Sequence, residues 1–248
     1  MVDIKSEREL ELMRQAGKIL AETLELLAEH IRPGVSTGHL DKLAHDYIKK
    51  NKSIPSFLNY NGFPASICAS VNNEVVHGIP GGRKLGEGDI IGIDIGVCYC
   101  GYHADAARTF GVGEISNDAK RLIEVTKQSF FEGVKNAREG CRLGDISNAI
   151  QVFVEENGYS VVRELIGHGV GSHLHEEPDV PNYGPAGRGI RLRSGMTLAV
   201  EPMVNGGESG IRLLKDGWTY VTKDNTLSAH YENSIIVQDG ECEIITML

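Results

Sequence analysis

Five residues carry side chains suited to gripping cations: Asp94, Asp105, His168, Glu201 and Glu232. Each falls on or beside a stretch that reads as a strand. Asp94 lies in IIGIDIGVCY, where Ile91, Ile93, Ile95 and Val97 share one face and Gly92, Asp94, Gly96 and Cys98 the other, a period of two. A second such run after Gly101 puts His103, Asp105, Ala107 and Thr109 on one face. A symmetric hairpin centred between Tyr99 and Cys100 sets Asp94 opposite Asp105, with Cβ atoms roughly 4.5–5.5 Å apart; a bulge would shift that register. Like charges so placed repel, and Asp is a poor strand former. Small Gly and Ala neighbours leave space above the pair, and a cation is the simplest repair. For these two acids alone, a solvent-facing edge hairpin is the better reading; the other three residues reverse it. Four oxygen donors and one imidazole suit two divalent ions sharing bridging carboxylates. They favour Mn²⁺, Fe²⁺, Co²⁺ or Zn²⁺ over a thiolate-type site. Two such ions ~3.5–4 Å apart hold a bridging hydroxide at neutral pH and polarise a carbonyl. The order Asp, Asp, His, Glu, Glu is not that of HExxH, and His175-Glu176 is not that motif.

The elements that must position these residues are legible in outline. Ser6 and Glu9 have capping-box spacing, Met13, Ala16, Ile19, Leu20, Leu24 and Leu27 recur at helical spacing, and Pro33-Gly34 ends the helix. Thr37 caps a second helix burying Leu40, Leu43, Ala44, Tyr47 and Ile48. Residues 52–64 read as loop, and a strand runs from Ile67 to Val76. Ser116 opens a third helix reaching to about Arg138, and a fourth spans Asp145 to Asn157. Strand-like 159–166 leads into Gly167-His168-Gly169, with a polar loop over 171–191. Strand 196–204 carries Glu201, Asp216-Gly217 makes a hairpin turn, and strand 228–237 carries Glu232. The three glycines Gly167, Gly169 and Gly171 lack the following helix of a phosphate loop and give the backbone room beside a metal.

An internal repeat is present. Aligning Arg32-Pro33-Gly34 with Arg138-Glu139-Gly140 brings Leu40 onto Ile146, Tyr47 onto Phe153, Ile48 onto Val154 and Asn51 onto Asn157, with Asp94 one residue short of Glu201. Each half reads helix, turn, helix, strands. The expected architecture is α+β: one domain over 1–248, with pseudo-symmetric halves of approximately 5–112 and 113–240. A central, mostly antiparallel sheet carries helices on its outside.

Composition narrows the function classes. A formal charge of −9 argues against non-specific nucleic-acid binding. No apolar run approaches the ~18 residues of a membrane span, and the charged start MVDIKSERELELMRQ is not a signal peptide. Cys68, Cys98, Cys100, Cys141 and Cys242 form no CxxC pair, which suits a reducing cytoplasm and argues against a disulfide framework or structural zinc.

The chain resembles the type I methionine aminopeptidases of the pita-bread fold over nearly its whole length. The resemblance is carried by VNNEVVHGIP, DIGVCYCGYHADAARTF, GHGVGSHLHEEP, MTLAVEPMV and KDGWTYVTKDNTLSAHYENSIIV. It implies a cytoplasmic enzyme, monomeric, that removes the N-terminal methionine of nascent chains near the ribosome when the second residue is small. A dinuclear metal-bound hydroxide would attack the first peptide carbonyl. Asp94 would bind one ion, Asp105 and Glu232 both, and His168 and Glu201 the other, with Glu201 also a base. His175 would polarise the scissile carbonyl and His77 contact the first peptide unit. Tyr60, Phe63, Cys68 and Trp218 map onto the methionine pocket, whose rim departs from several family members at Phe57, Phe63 and Leu174. His103, His173 and His230 read as structural or rim residues.

Three other readings are weighed. An X-Pro aminopeptidase or prolidase of the same fold usually carries a separate N-terminal domain. A non-catalytic module of the fold loses metal ligands, and here all five are present. A carboxylate-bridged oxidase places Glu-x-x-His pairs on bundle helices, and this chain has none.

Overall fold

The computed structural model describes residues 2–248. In chain order the elements begin α1 (Glu7–His30), α2 (Thr37–Lys50), β1 (Ile54–Pro55), β2 (Ile67–Val71), β3 (Glu74–Val76), β4 (Ile90–Tyr99) and β5 (Tyr102–Gly111). They continue with α3 (Asn117–Val134), α4 (Leu143–Glu156), β6 (Ser160–Val161), β7 (Gly167–Gly169), β8 (Glu176–Val180), β9 (Thr197–Val200) and β10 (Met203–Asn205). The chain closes with β11 (Ile211–Leu213), β12 (Tyr220–Thr222), β13 (Ser228–His230), β14 (Asn233–Ile236) and β15 (Glu243–Ile244).

The capping box forms, with Ser6 N–H donating to Glu9 Oε2 at 2.7 Å. Helix α1 then buries Leu10, Met13, Leu20, Leu24 and Leu27 on one stripe. Three helix ends differ from the sequence reading. Ser36, not Thr37, caps α2: its Oγ accepts from His39 N–H at 3.3 Å, while Thr37 is drawn to the Gly81 backbone. Helix α3 stops at Val134, short of Arg138, because Asn136 and Ala137 make i→i−3 bonds that tighten and end the last turn. Helix α4 starts at Leu143, not Asp145, because Asp145 reaches back to cap the Arg142 N–H at 2.8 Å.

One apolar core lies between α1, α2 and strands β2, β4 and β5, built on Leu20, Leu27, Ile91, Ile93, Ile95 and Val97. Another joins α3 and α4 to the later strands through Phe130, Ile146, Ile150, Leu198, Val200 and Ile235. The helices therefore cover the outside and leave the opposite strand faces for a site. All named strand pairs are antiparallel, but the sheet divides into four ladders: β1-β4-β2 with β5 on β4, β15-β14-β9-β7-β8, β13-β10-β6, and β11-β12-β3. The strands expected to be continuous are broken. Asn72, in left-handed backbone at φ 60°, separates β2 from β3. Pro202, which has no N–H to donate, falls between β9 and β10, and Tyr231-Glu232 fall between β13 and β14. The strand expected over 159–166 shrinks to β6, and the loop expected over 171–191 contains β8. Asp216-Gly217 turns the chain inside a longer loop, with β11 and β12 paired as Leu213 to Tyr220. No helix among the described residues is long and apolar enough to cross a membrane.

Candidate metal centre

Asp94 and Asp105 lie on one hairpin, in a register two residues from the symmetric one expected. Asp94 pairs with Ala107 and Gly96 with Asp105, because the turn is centred between Cys100 and Gly101, not Tyr99 and Cys100. Both turn residues take positive φ (49° and 88°), as a two-residue primed turn demands. The two acids are thus diagonal neighbours on one face, still near enough for their carboxyls to hydrogen-bond.

Ala107 is also where the two large sheets meet. Its backbone exchanges bonds with Glu232, whose N–H donates to Ala107 O at 3.0 Å while Ala107 N–H donates back at 3.4 Å. This stitch sets Glu232 beside the aspartates. Arg108 secures it from behind, its guanidinium donating to Glu232 O at 2.5 Å, Ala107 O at 2.8 Å and Asn233 Oδ1 at 2.6 Å. Glu201 occupies the break after β9, its carbonyl accepting from Asn182 Nδ2 at 3.0 Å. His168 sits on β7 between glycines. Their role differs from the one expected: a Cβ on Gly167 would lie 2.4 Å from Ala199 O, and one on Gly169 2.3 Å from Glu177 O. They let neighbouring backbone close in, which brings His168 to the acids.

His168 Nδ1 lies 2.8 Å from Gly169 O, a carbonyl that can only accept. The ring proton is therefore on Nδ1, and burial holds the imidazole neutral, with its pKa near 3. Its unprotonated Nε2 faces Asp105 Oδ2 at 3.8 Å and Glu201 Oε1 at 3.6 Å. Lone pairs facing carboxyl oxygens need a positive charge between them, either a proton or a metal cation. Asp94 Oδ1, Asp105 Oδ1 and Glu232 Oε1 are likewise buried without a hydrogen-bond partner, and such orphans are costly unless something unseen satisfies them. Asp105, His168 and Glu232 can each offer an atom to one ion, as can Asp94, His230 and Glu232. The donor set fits divalent metal.

All eleven residues singled out in the sequence line one cavity of about 680 Å³. Asp94, Asp105, His168, Glu201 and Glu232 form its acidic end. Tyr60, Phe63, Cys68 and Trp218 line its apolar end with Phe57 and Leu174, and Phe63 meets Trp218 edge-on at 5.2 Å. His175 stands at the mouth, its Nδ1 2.8 Å from Tyr60 OH and its ring centroid 4.0 Å from that of His168. His77 enters from a left-handed backbone position, φ 59°. Of the histidines set aside, His103 bonds Ser56 and His173 is exposed. His230 is neither structural filler nor rim: it is buried, with Nε2 3.6 Å from Glu201 Oε2 and 3.8 Å from Glu232 Oε2. Its place two residues before Glu232 on a period-2 strand was the signal. Asn61 also lines the cavity, and nothing in the sequence pattern marked it.

Burial dominates the electrostatics. Desolvation lifts Asp94 to about 7 and Glu201 to about 8. It raises Asp105 and Glu232 well above the carboxylate range, with the neighbouring acids adding to the rise. No Lys or Arg lines the cavity, and Arg108, behind Glu232, offsets only part of that residue's rise. A carboxyl raised in the folded state still holds its proton where the unfolded chain has lost it, so stability falls as pH climbs from about 4 to the folded value. The buried imidazoles act in the opposite sense and lower range: His168, His77 and His230, near 3, 4 and 4, cost stability as pH falls below about 6.5. Above pH ~6.5 only the carboxyls still change. Metal-stripped protein is therefore expected to melt at lower temperature at pH 8 than at pH 6.5, with Asp105→Asn narrowing the difference and leaving the stripped protein as stable or more so. The same substitution should weaken metal binding by more than the 10–100-fold typical of losing a ligand's hydrogen-bond partner. Thermal melts in chelator at the two pH values, beside metal titration, read both; a clear loss of stripped-protein stability makes Asp105 a structural acceptor instead.

Helices outside, antiparallel ladders inside and buried acids at their junction define a metal-dependent hydrolase of pita-bread architecture. The chain belongs to metallopeptidase family M24, whose model matches residues 11–239. It is 54% identical to a methionine aminopeptidase of Clostridium perfringens over the full length of both chains. It is similar to the crystal structure of methionine aminopeptidase from Rickettsia prowazekii, at 44% identity, TM-score 0.98 and complete coverage of both chains. An X-Pro aminopeptidase structure from Thermotoga maritima, at 22% identity and TM-score 0.78, shares the fold; the match covers 99% of this chain and 62% of that one.

Proposed function

We infer that this chain is a methionyl aminopeptidase, hydrolysing the first peptide bond of polypeptides that begin with methionine followed by a small residue. The observation that carries this reading is the cavity itself, in which a soft apolar end runs directly into a cluster of unpaired acids. A flexible thioether suits walls of Phe63, Trp218, Tyr60 and Cys68, and burial keeps the Cys68 thiol protonated. Full-length similarity to proteins named methionine aminopeptidase supports it, whereas the X-Pro likeness stops at the fold.

In this reading Asp94, Asp105, His168, Glu201 and Glu232 would hold two divalent ions, of Mn²⁺, Fe²⁺, Co²⁺ or Zn²⁺. Bound ions supply Lewis acidity and a water acidified towards neutral pH. Glu201 accepts the proton of the attacking water on a carboxylate oxygen and passes it to the departing amine. His77 contacts the first peptide unit. Tyr60 keeps its hydroxyl proton, since burial raises its pKa, and donates it to His175 Nδ1. The His175 ring then carries its own proton on Nε2, ready to donate to the carbonyl oxygen as charge develops there. The products are free methionine and the shortened chain. The enzyme works as one catalytic domain and as a monomer, in the cytoplasm, on nascent N-termini near the ribosome.

Metal-loaded protein is expected to cleave Met-Ala-, Met-Gly- and Met-Ser- peptides and to leave Met-Lys- and Ala-Pro- peptides essentially uncut, since the reading calls for a subsite that admits only a small second side chain. Chromatographic assay of released amino acid decides: equal rates on Met-Ala- and Met-Lys- peptides contradict the specificity, and preference for Ala-Pro- makes the chain an X-Pro enzyme.

A further inference from the structure

The Glu201 carboxylate lies between two imidazoles. Oε1 is 3.6 Å from His168 Nε2 and Oε2 is 3.6 Å from His230 Nε2. The two rings are not equivalent. His168 is clamped through Nδ1 by the Gly169 carbonyl, which leaves Nε2 as a lone pair. Among the described residues no acceptor holds His230 Nδ1 in that way, so nothing opposes a proton on its Nε2. That nitrogen is buried, lacks a hydrogen-bond partner, and faces two carboxylates, Glu201 and, at 3.8 Å, Glu232. Its backbone is held tightly: N–H donates to Thr109 Oγ1 at 2.9 Å and C=O accepts from the same hydroxyl at 2.9 Å. The ring is therefore an aimed group on a fixed strand. Glu201 has no side-chain hydrogen bond from any described residue, and it follows a strand end, so its carboxylate is the freer partner.

We propose that His230 is a positioning residue for Glu201, its Nε2–H donating to Oε2 so that Oε1 is the oxygen presented on the His168 side. The 3.6 Å separation exceeds a good N–H···O bond by about 0.6 Å, a shift within reach of the Glu201 side chain. The bond gives a buried donor its partner. It also fixes which oxygen meets the cation and which way the base is turned. Partners of this kind orient metal-binding carboxylates and typically contribute 10–100-fold in metal affinity or activity. The inference rests on the metallopeptidase reading above and names a residue that reading does not use.

The test compares wild type with His230→Ala, the bulkier donor-free His230→Leu, and His230→Gln, whose amide N–H can reach the same carboxylate. Each is loaded with Co²⁺, and visible absorption, imidazole count by X-ray absorption and steady-state kinetics on a Met-Ala- peptide are recorded. Expected are a 10–100-fold fall in kcat with little change in KM for Ala and Leu, substantial recovery in Gln, and the same imidazole count in all four proteins. Should Ala fail to fold, Leu and Gln carry the comparison. Unchanged kcat in Leu overturns the proposal. Loss of one imidazole from the Co²⁺ spectrum in every variant, with no recovery in Gln, overturns it in favour of His230 as a direct ligand. Wild type that takes up no Co²⁺ at all defeats the metal reading instead, a result distinct from either.

Discussion

Stripped of divalent ions, the protein is expected to release no methionine from a Met-Ala- peptide, and Mn²⁺, Fe²⁺ or Co²⁺ to restore turnover. The effect should be all or nothing because the chain's own groups cannot replace the cation. Four carboxyls converge without a Lys or Arg in the cavity wall, and burial plus mutual repulsion holds Asp105 and Glu232 protonated far above their ordinary range. A protonated Glu201, near 8, is also a poor base at neutral pH. Bringing in divalent charge reverses each of these shifts, since an opposite charge within a few ångströms favours the ionised carboxylate. One loading thus assembles the site's charge balance and frees its base. Protein dialysed against chelator, checked for residual metal by elemental analysis and assayed before and after each addition, gives the answer. Full turnover at metal contents far below one ion per chain is incompatible with the proposed function.

The second large effect belongs to His175. It stands at the cavity mouth and touches the site through its ring face, 4.0 Å between centroids from His168, while Tyr60 holds its Nδ1. Donation from its Nε2 matters more as the carbonyl oxygen becomes negative than in the ground state. Removing one donor of this type typically costs ~10²–10³ in kcat, about 2.7–4 kcal/mol. His175→Ala is therefore expected to retain near-normal metal content, to lose kcat by that factor and to change KM little. His168→Ala should lose metal affinity as well, since its Nε2 lies among the acids. Calorimetric metal titration beside kinetics separates the two; metal lost with His175 and kept without His168 reverses the assignment. Tyr60→Phe gives a graded companion. It keeps the stacked ring, 5.2 Å from His175, but removes the hydroxyl 2.8 Å from the imidazole's Nδ1.

The candidate residues that meet in the cavity were legible because residue type and period-2 alternation are local properties. Asp94 and Asp105 alternate with apolar or small neighbours along their strands, and their faces can be read without knowing what lies opposite. The helices were legible for the same reason, with ends misplaced by a few residues where a side chain reached back to cap. The hairpin register was not legible. It depends on Cys100 accepting left-handed backbone beside Gly101, and cysteine carries no signal for that. The strand breaks were hidden too. Residues 196–204 and 228–237 alternate convincingly, yet each opens where a glutamate turns out of its ladder. His230 was missed although its two-residue spacing from Glu232 could be read, because its other partner, Glu201, is distant in sequence.

The sequence by itself determined which side chains were available for chemistry, which strand or helix face each would occupy, and, through motifs spread along the chain, which kind of enzyme they resemble. Those follow from covalent order and the two periods of regular backbone. Only the tertiary structure decided how the residues meet. The reciprocal bonds between Ala107 and Glu232 set the acids side by side, the glycines around His168 let backbone pack close enough to deliver an imidazole, and the surrounding strands and loops bury Asp105 and Glu232. Burial is a property of the assembled fold. It is burial that turns four ordinary carboxyls into groups that hold their protons near neutrality, and so into a site that calls for a cation.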